Sequence, residues 1–580
     1  MVHKAIFKNF INKNHILIII FLLLAMFILS TTSIYNKSPA YDERCFAGMG
    51  MYILKTGNFK TDGSLYHAPL SFYLNSFFLD FLKIDRHIWA KESCWDRGID
   101  FIFNSGYDPK FIMFIIRLPF ILLSLILGIY VYLFAKRLYG KNAGLMAFGL
   151  YAFSPNILSI SVYALTDFPL ICFAFIATYY FHEYINNPSI NNFIFVSVSF
   201  ALAMLSKLTA IYLFLIFLIL IAIRFRKKNL VKNMLKLFMI GIVVFLIIFA
   251  AFGFQFDTMG NVLPEHYYNA AKKQIDKRFG TNKLGSAVDY IFENVKLPAP
   301  TYFAYTGSII FFSLEGDFGF LFGKYSEPGQ KWWYYFFVVF LIKTPLPLLI
   351  LLAISIFYFI RIKHKDILNE LFLVLPIIIL FGTFVLNQVS FDIRHVSTIY
   401  PFIFVFVSKI VRLFNSKKLF FSLLFFILMA WYLLNSILIF PHYTAFFNEF
   451  IGFKNSYKYL VTGVDRGQDL IGLKNFMDDN NIKSINFSYH GSINPKYYGI
   501  DYDSMPTLCY NQFIPNYKQH INRCGEEFVE DCRERKGYVA VSTTSLQGRL
   551  LNNRSCYAWL KKYESIKKIG YTIFVYNISD

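Results

Sequence analysis

The chain has 580 residues, of which 56% are hydrophobic, 20% aromatic and only 16% charged, whereas soluble domains are about 25% charged. Its formal net charge is +21. The basic clusters are short and adjoin or lie between apolar runs, as they do in the cytoplasmic loops of membrane proteins. The composition therefore excludes an ordinary soluble domain, and we expect no nucleic-acid partner.

Apolar runs along the first 440 residues predict an all-α polytopic membrane domain. With the N-terminus in the cytoplasm, every basic cluster falls inside, and the large loops 31–110 and 255–333 and everything after 440 fall outside. A cleaved signal peptide ending near Ala40 is an alternative that leaves Tyr41 onward extracytoplasmic. Roughly eleven spans are predicted, near 15–30, 111–134, 143–161, 166–182, 192–206, 208–224, 234–254, 334–360, 367–387, 397–411 and 419–440.

Beyond residue 440 the composition becomes that of a soluble protein. Apolar residues share one face of a helix that opens near Gly467, namely Leu470, Leu473 and Met477. Strands are predicted at 484–489, 538–542 and 571–576. We therefore predict a transmembrane domain over 1–440 and a small α/β extracytoplasmic domain over 441–580. The whole is expected to be a multi-pass protein of the cell (inner) membrane.

The cysteines favour an oxidising compartment for the predicted outer segments. Cys45 and Cys94 lie in the first outer loop, whereas Cys172 lies in a predicted span. The tail contains Cys509, Cys524, Cys532 and Cys556. Even numbers in each outer segment suit disulfides, with the tail pairing left open. The alternatives are unpaired thiols, or a zinc site built from Cys524, Cys532 and His520.

Two adjacent carboxylates, Asp42 and Glu43, follow the first span by about ten residues. Carboxylates beside a membrane are costly to desolvate unless they are used. Neighbouring side chains point in different directions, so a general base with a second residue for metal binding or structure fits better than a paired site. The alternative is that both are solvated residues that cap a following helix.

Further charged residues map to the outer ends of predicted spans. Asp167 begins span four, Lys207 lies between spans five and six, and Arg394 and His395 precede span ten. Lys343 lies within span eight, where it could face an outward-open cavity. Charges at these depths are rare unless they face a cavity, although each alone also suits an interfacial anchor. Such a cluster suits a lipid-anchored phosphate ligand, with cations around the phosphate.

Taken in order, these residues resemble a known family, the dolichyl-phosphate-mannose protein mannosyltransferase-like glycosyltransferases, relatives of the bacterial lipid A aminoarabinose transferase. The resemblance covers nearly the whole chain and implies a type C glycosyltransferase fold. It rests on Asp42-Glu43, His67-Ala68-Pro69-Leu70, Ala164-Leu165-Thr166-Asp167, Gly323-Lys324-Tyr325-Ser326, Leu341-Ile342-Lys343-Thr344-Pro345-Leu346, Arg394-His395, Pro441-His442-Tyr443, Asp465-Arg466-Gly467-Gln468-Asp469-Leu470 and Ser545-Leu546-Gln547-Gly548.

The resemblance implies inverting transfer of a sugar from a polyprenyl-phosphate donor to an acceptor hydroxyl at the extracytoplasmic face. A mannose-like sugar is one candidate. Asp42 would be the base, with Glu43 beside it in the catalytic pair. Independently of the resemblance, a buried cation needs an anion, so we expect at least one of Lys207, Lys343 and Arg394 to contact the donor phosphate, with His395 as a further candidate. A divalent metal on Glu43, His67 and Asp167 stays open. The acceptor would be a protein, lipopolysaccharide or another glycan. The chain departs from the family pattern at Ala68 and at Arg466, where proline and tryptophan are expected.

The tail motif has two interpretations. Asp465, Gln468 and Asp469 are candidates for substrate contact, or the aspartates favour a helix N-terminus while Gly467 permits a tight turn. The function also has a rival, a transporter or flippase of lipid-linked sugars, which would need two-sided access but no base. A scaffold protein would leave the buried cations unexplained.

Overall fold

A computed structural model describes residues 2–61, 67–82, 84, 91, 93–225, 229–280, 282–315, 319–326, 330, 332–361, 367–386, 392–411, 419–452, 456–460, 463–507, 531–548, 551 and 553–579. Helices make up most of the first 440 residues, and further helices lie in the tail. Their bounds are α1 Val2–Ile34, α2 Glu43–Thr56, α3 Leu70–Phe77, α4 Cys94–Phe103, α5 Pro109–Tyr139, α6 Lys141–Ala152, α7 Pro155–Ser161, α8 Asp167–Asn186, α9 Ile190–Met204, α10 Tyr212–Arg224, α11 Leu230–Ala251, α12 Glu265–Phe279, α13 Lys283–Asn294, α14 Pro300–Glu315, α15 Tyr335–Lys343, α16 Leu346–Arg361, α17 Ile367–Leu386, α18 Tyr400–Ser408, α19 Leu419–Ile439, α20 Leu470–Asp479 and α21 Thr543–Leu546.

In the described part of the chain, 6 helices are long and apolar enough to cross a membrane, and up to 8 spans result if each of two bent pairs counts as one. The helices that meet this criterion individually are α1, α5, α8, α11, α17 and α19. Three shorter apolar segments, 190–204, 208–224 and 393–408, lie among them. The all-α polytopic domain is confirmed, while the predicted number of about eleven spans stays a prediction.

Two predicted spans are not continuous helices. The predicted span 143–161 is divided between α6 and α7, which meet at 62°, and 334–360 is divided between α15 and α16, which meet at 113°. Pro155 and Pro345 lie at these breaks. Proline lacks a donor N–H and disfavours helical geometry in the preceding residue, so each helix ends before it. The second break places Lys343 at the last residue of α15 rather than in the middle of a span.

The two long connections predicted as outer loops contain short helices. The first contains α2 to α4, and a disulfide between Cys45 and Cys94 joins α2 to α4, as the sequence predicts. The second contains α12 to α14 together with two small antiparallel pairs, β1 with β2 and β3 with β4. These strands are β1 Phe256–Asp257, β2 Leu297–Pro298, β3 Gly319–Leu321 and β4 Lys324–Ser326.

The described residues of the tail form one mixed sheet of five strands in the order β6-β5-β7-β9-β8. The predicted strands are confirmed within it, as is the helix after Gly467, which is α20. β5 pairs in parallel with β6 and β7, whereas β9 pairs antiparallel with β7 and β8. The strands are β5 Ile485–Ser488, β6 Tyr502–Ser504, β7 Gly537–Ser542, β8 Lys567–Ile569 and β9 Ile573–Ile578.

Two tail cysteines, Cys532 and Cys556, form a disulfide. Cys532 is therefore not available to the alternative zinc site. The other residues of that hypothesis, His520 and Cys524, lie outside the described residues, and so does Cys509.

Candidate active site

The segment that leads from α1 to α2 lies against the tail motif 465–470. The Ser38 amide donates to the Gln468 carbonyl at 2.9 Å, and the Tyr41 amide donates to the Arg466 carbonyl at 2.9 Å. These backbone bonds immediately precede Asp42. The tail motif therefore sets the position of the first residues of the outer loop.

Side chains of the tail motif are bonded within the protein. Asp465 accepts from the Thr544 amide at 3.2 Å, and burial raises the pKa of this carboxyl to about 7. Gln468 donates to the Val464 carbonyl at 2.9 Å, and Asp469 pairs with Lys37. These contacts favour the structural interpretation of the motif. A direct substrate role for Asp465, Gln468 and Asp469 stays a prediction.

Gly467 occupies the tight turn that the sequence predicts. Its φ is +80°, and a Cβ here would lie 2.7 Å from the Tyr489 hydroxyl and 2.8 Å from the Gly491 Cα. Any other residue would be strained by the backbone angle and would also meet these atoms. The turn lets the motif approach the first loop closely.

Glu43 is completely buried and belongs to a network that ties the loop to the helices. Its carboxylate pairs with Arg117 of α5, with Nε to Oε1 at 2.9 Å and Nη2 to Oε2 at 2.7 Å. The Ala40 and Ala164 amides donate to the same carboxylate, each at 2.8 Å. Both oxygens are therefore occupied, and the contacts favour a structural role over the predicted catalytic or metal-binding one.

Asp42 lies one residue before α2 and has no hydrogen bond or ion pair to that network among the contacts of the described residues. Its side chain keeps 37% of its surface exposed, and Oδ2 lies 3.8 Å from Nη1 of Arg394. The surrounding protein raises the pKa of this carboxyl by desolvation, while the charges of Arg394 and Arg466 oppose the rise. Asp42 thus combines accessibility with raised basicity, the properties that a general base needs.

The predicted cluster of charges assembles around Asp167. This buried carboxylate accepts from Lys207 Nζ at 2.7 Å and lies 3.8 Å from Nε of Arg394. His395 Nδ1 lies 3.3 Å from Lys207 Nζ. The side chains of Lys207 and Arg394 are 17% and 25% exposed, whereas Asp167 is 5% exposed. A buried anion therefore holds two partly exposed cations, one of which, Arg394, also lies beside Asp42.

His67 lies close enough to this cluster to feel its charges. Burial and the charge of Lys207 lower the pKa of its imidazole to about 3, so the ring is neutral at physiological pH. The ring packs edge-on against Phe46 of α2, with centroids 4.9 Å apart.

Lys343 is placed differently from the other predicted cations. Its ammonium donates to the carbonyls of Thr444 and Phe446, both at 2.9 Å, and lies over the Phe447 ring at 4.2 Å. The Lys343 carbonyl accepts from Asn156. The residue joins the break between α15 and α16 to the chain after α19. These contacts favour a structural role over the predicted donor contact.

The residues present do not fit a divalent metal. Among the described residues, no group of three His, Cys, Asp or Glu side chains comes together to hold one. Of the predicted ligands, Glu43 is bound to Arg117, and Asp167 is bound to Lys207. We therefore derive no chemical step through a metal.

Sequence reasoning missed the buried ion-pair partners of three motif residues, namely Arg117 for Glu43, Asp392 for Arg466 and Lys37 for Asp469. Arg117 lies inside an apolar span, and the rule that singled out Lys343 would have found it. Asp392 pairs with Arg466 at 2.7 Å. Arginine therefore replaces the expected tryptophan at a position where a carboxylate is available to it.

Comparison with known proteins supports the resemblance. Residues 110–253 match the family model described as dolichyl-phosphate-mannose-protein mannosyltransferase. The predicted resemblance to this family is confirmed. The matched segment contains Asp167 and Lys207 of the cluster, whereas Asp42 and Arg394 lie outside it. None of the curated proteins matches the chain.

Solved structures of membrane glycosyltransferases are similar to this chain at low identity. ArnT from Cupriavidus metallidurans bound to undecaprenyl phosphate matches at 11% identity and a TM-score of 0.48, over 96% of this chain and 97% of that one. The oligosaccharyltransferase AglB from Archaeoglobus fulgidus matches at 13% identity and a TM-score of 0.43. That match covers 74% of this chain and 56% of AglB, so the chain spans about half the length of that relative. Because both TM-scores lie below 0.5, these similarities carry no argument about function.

Proposed function

We propose that the chain is an integral-membrane inverting glycosyltransferase. It transfers a sugar from a polyprenyl-phosphate donor to an acceptor hydroxyl at the extracytoplasmic face. The observation that carries this proposal is the accessible Asp42 carboxylate beside Arg394, a cation that shares the buried anion Asp167 with Lys207.

Each group has a defined task in a single displacement. The acceptor oxygen attacks the anomeric carbon while its proton passes to Asp42. The bond between the anomeric carbon and the phosphate oxygen breaks, and polyprenyl phosphate leaves with the electron pair. Lys207 and Arg394 stabilise the negative charge that grows on the leaving phosphate. One displacement inverts the configuration at the anomeric carbon.

Asp167 acts through the two cations rather than on the substrate. Two cations without an anion would repel each other in a poorly solvated site, and burial alone would disfavour both. Asp167 holds both cations in place, and Arg394 is thereby kept beside the partly exposed Asp42 carboxylate. This arrangement is preorganised, so little rearrangement is needed when the phosphate arrives.

The name of the matching family supports a mannose-like sugar and a protein acceptor. Lipopolysaccharide or another glycan as acceptor, and a pentose as sugar, are alternatives within the same chemistry. The acceptor hydroxyl and the membrane-embedded donor must both reach Asp42, which lies on the predicted extracytoplasmic side. Because the polyprenyl chain of the donor is apolar, we expect the donor to reach the protein from the lipid bilayer.

Sugar transfer itself is the decisive experiment. Purified protein in lipid nanodiscs would be given radiolabelled polyprenyl-phosphate mannose and a range of acceptor peptides and glycans. Label should move to an acceptor and polyprenyl phosphate should accumulate. Movement of the intact lipid donor between leaflets without cleavage would instead identify the rival transporter function.

Binding of the donor phosphate is expected to depend on Lys207 and Arg394. Replacing either by methionine removes a charge-assisted hydrogen bond, which is worth about 1.5–3 kcal/mol, so the Kd for polyprenyl phosphate should rise roughly 10- to 150-fold. Titration of the lipid against purified variants measures this. The matched control is Lys343→Met, which should lower the melting temperature but leave the Kd unchanged. Unaltered Kd values in both Lys207→Met and Arg394→Met would exclude the assignment.

The rate is expected to fall at acidic pH with the protonation of Asp42. Because the pKa of this carboxyl is raised, the acid limb of kcat/KM should lie above the ordinary aspartate value of about 3.9. The base is lost as the pH falls through the raised pKa and is fully present above it. His67 does not produce this limb, because its imidazole stays neutral down to about pH 3. A profile that is flat to pH 4 would contradict the expectation.

A further inference from the structure

Arg466 connects two parts of the site through different atoms. Its backbone carbonyl accepts from the Tyr41 amide at 2.9 Å, directly before Asp42. Its guanidinium Nη2 donates to Asp392 Oδ2 at 2.7 Å, two residues before Arg394. We propose that Arg466 is a positioning residue that sets the separation between Asp42 and Arg394, and so between the base and the donor phosphate. The proposal rests on the function proposed above.

The turn that presents Arg394 begins at Asp392. A 3₁₀ helix runs over Ile393–Ile399, Asp392 directly precedes it, and the Asp392 carbonyl accepts from the His395 amide at 3.2 Å. Fixing the Asp392 side chain therefore fixes the first residues of this helix. Arg394 is the second of them, so its direction depends on how Asp392 is held.

Arg466 is itself held rigidly. Its amide donates to the Gln468 side chain at 2.7 Å, and its guanidinium lies over the Tyr163 ring at 5.3 Å. The Asp392 carboxylate packs against Gly463 so closely that a Cβ there would lie 1.8 Å from its Cγ. The space beside Asp392 thus exists because residue 463 is a glycine, and a side chain there would displace the carboxylate.

The ion pair is not arranged for the greatest stability. Both side chains are buried, yet Arg466 Nη1 and Asp392 Oδ1 have no hydrogen-bond partner in the part of the chain that the structure describes. A buried pair contributes net stability only when its remaining polar atoms are satisfied. The pair does, however, hold the tail motif at a fixed distance from the turn that carries Arg394. Tryptophan, which the resemblance predicts at this position, could not make the same ionic contact.

A double-mutant cycle tests whether Arg466 acts through Arg394. The Kd for polyprenyl phosphate would be measured for Arg466→Gln, Arg394→Gln and the double variant, together with Arg466→Lys, the conservative variant. We expect Arg466→Gln to weaken binding about 10-fold, but less than about 2-fold once Arg394 is already replaced. Arg466→Lys should recover part of the loss. Asp392→Asn should match Arg466→Gln in kcat and KM for transfer.

The control is a buried ion pair remote from the site, Lys409 with Glu370, whose side chains are 1% and 6% exposed. Glu370→Gln should lower the melting temperature without changing the Kd, which separates loss of stability from loss of position. If Arg466→Gln weakened the binding of polyprenyl phosphate equally in the presence and in the absence of Arg394, the positioning role would be wrong, but the proposed function would stand. Failure of the wild-type protein to bind polyprenyl phosphate would overturn the proposed function and this role with it.

Discussion

Replacing Asp42 with asparagine is expected to lower kcat for sugar transfer by about 10²- to 10⁴-fold while donor binding persists. A sugar on a lipid phosphate already has an adequate leaving group, so the difficult partner is the neutral acceptor hydroxyl. Asparagine keeps the size of the side chain but cannot take the proton. The rate should be measured at saturating donor, and the Kd for polyprenyl phosphate should be measured on the same preparation.

The matched control for this prediction is Asp80→Asn, which makes the same chemical change in the same outer loop. Asp80 pairs with Lys55 and is 47% exposed, so its replacement should leave kcat and stability nearly unchanged. If Asp42→Asn turned over at the wild-type rate, the base would be another residue. If it bound donor poorly as well, Asp42 would also contribute to the donor site.

Replacing Glu43 with glutamine is expected to destabilise the protein by about 3–5 kcal/mol, because it leaves the Arg117 guanidinium buried without its anion. The contacts of Glu43 thus predict a larger effect on folding than on chemistry. The free energy of unfolding should be measured by denaturant titration in detergent micelles. The rate of sugar transfer per folded molecule should also be measured for Glu43→Gln. We expect this rate to be much closer to the wild-type rate than the rate of Asp42→Asn is.

A double variant separates loss of the ion pair from loss of the glutamate alone. Removing both charges with Glu43→Gln and Arg117→Met should cost less than the sum of the two single changes, since no unpaired charge remains. The partly exposed pair of Arg137 and Glu183 serves as control, and Glu183→Gln should cost at most about 1 kcal/mol. Normal stability together with abolished transfer in Glu43→Gln would show instead that Glu43 is the catalytic carboxylate.

The membership of the site could largely be predicted from where charges occur along the sequence. Asp167, Lys207 and Arg394 lie far apart in the chain but each lies at the same predicted end of a span. Topology alone brings span ends on one side of a membrane into one layer. This is why the structure brings these residues close to Asp42, although the exact contacts, such as the ion pairs of Lys207 and Arg394 with Asp167, depend on packing.

The roles of individual charges could not be predicted in this way. Lys343 and Lys207 both look like unexplained cations in apolar surroundings, yet Lys343 is bound by backbone carbonyls and the partly exposed Lys207 by the carboxylate of Asp167. A sequence shows a charge but not its partner, and the partner decides whether that charge is available to a ligand. The sequence also predicts one continuous span over 334–360, whereas the structure divides it before Pro345. Proline is the residue that would have indicated this break.

The sequence by itself determined the helical membrane class, the tail strands and the disulfide in the first loop, because these follow from local hydrophobicity and cysteine number, while the orientation read from loop charge stays a prediction. Only the tertiary structure decided that Asp42 stays partly exposed while Glu43 is buried, and that Arg466 contacts both Tyr41, next to Asp42, and Asp392, at the start of the Arg394 turn. Adjacent carboxylates have the same chemistry in a sequence. They become different when one is buried against Arg117 and the other remains exposed beside a cation, and burial of that kind is a property of the folded chain as a whole.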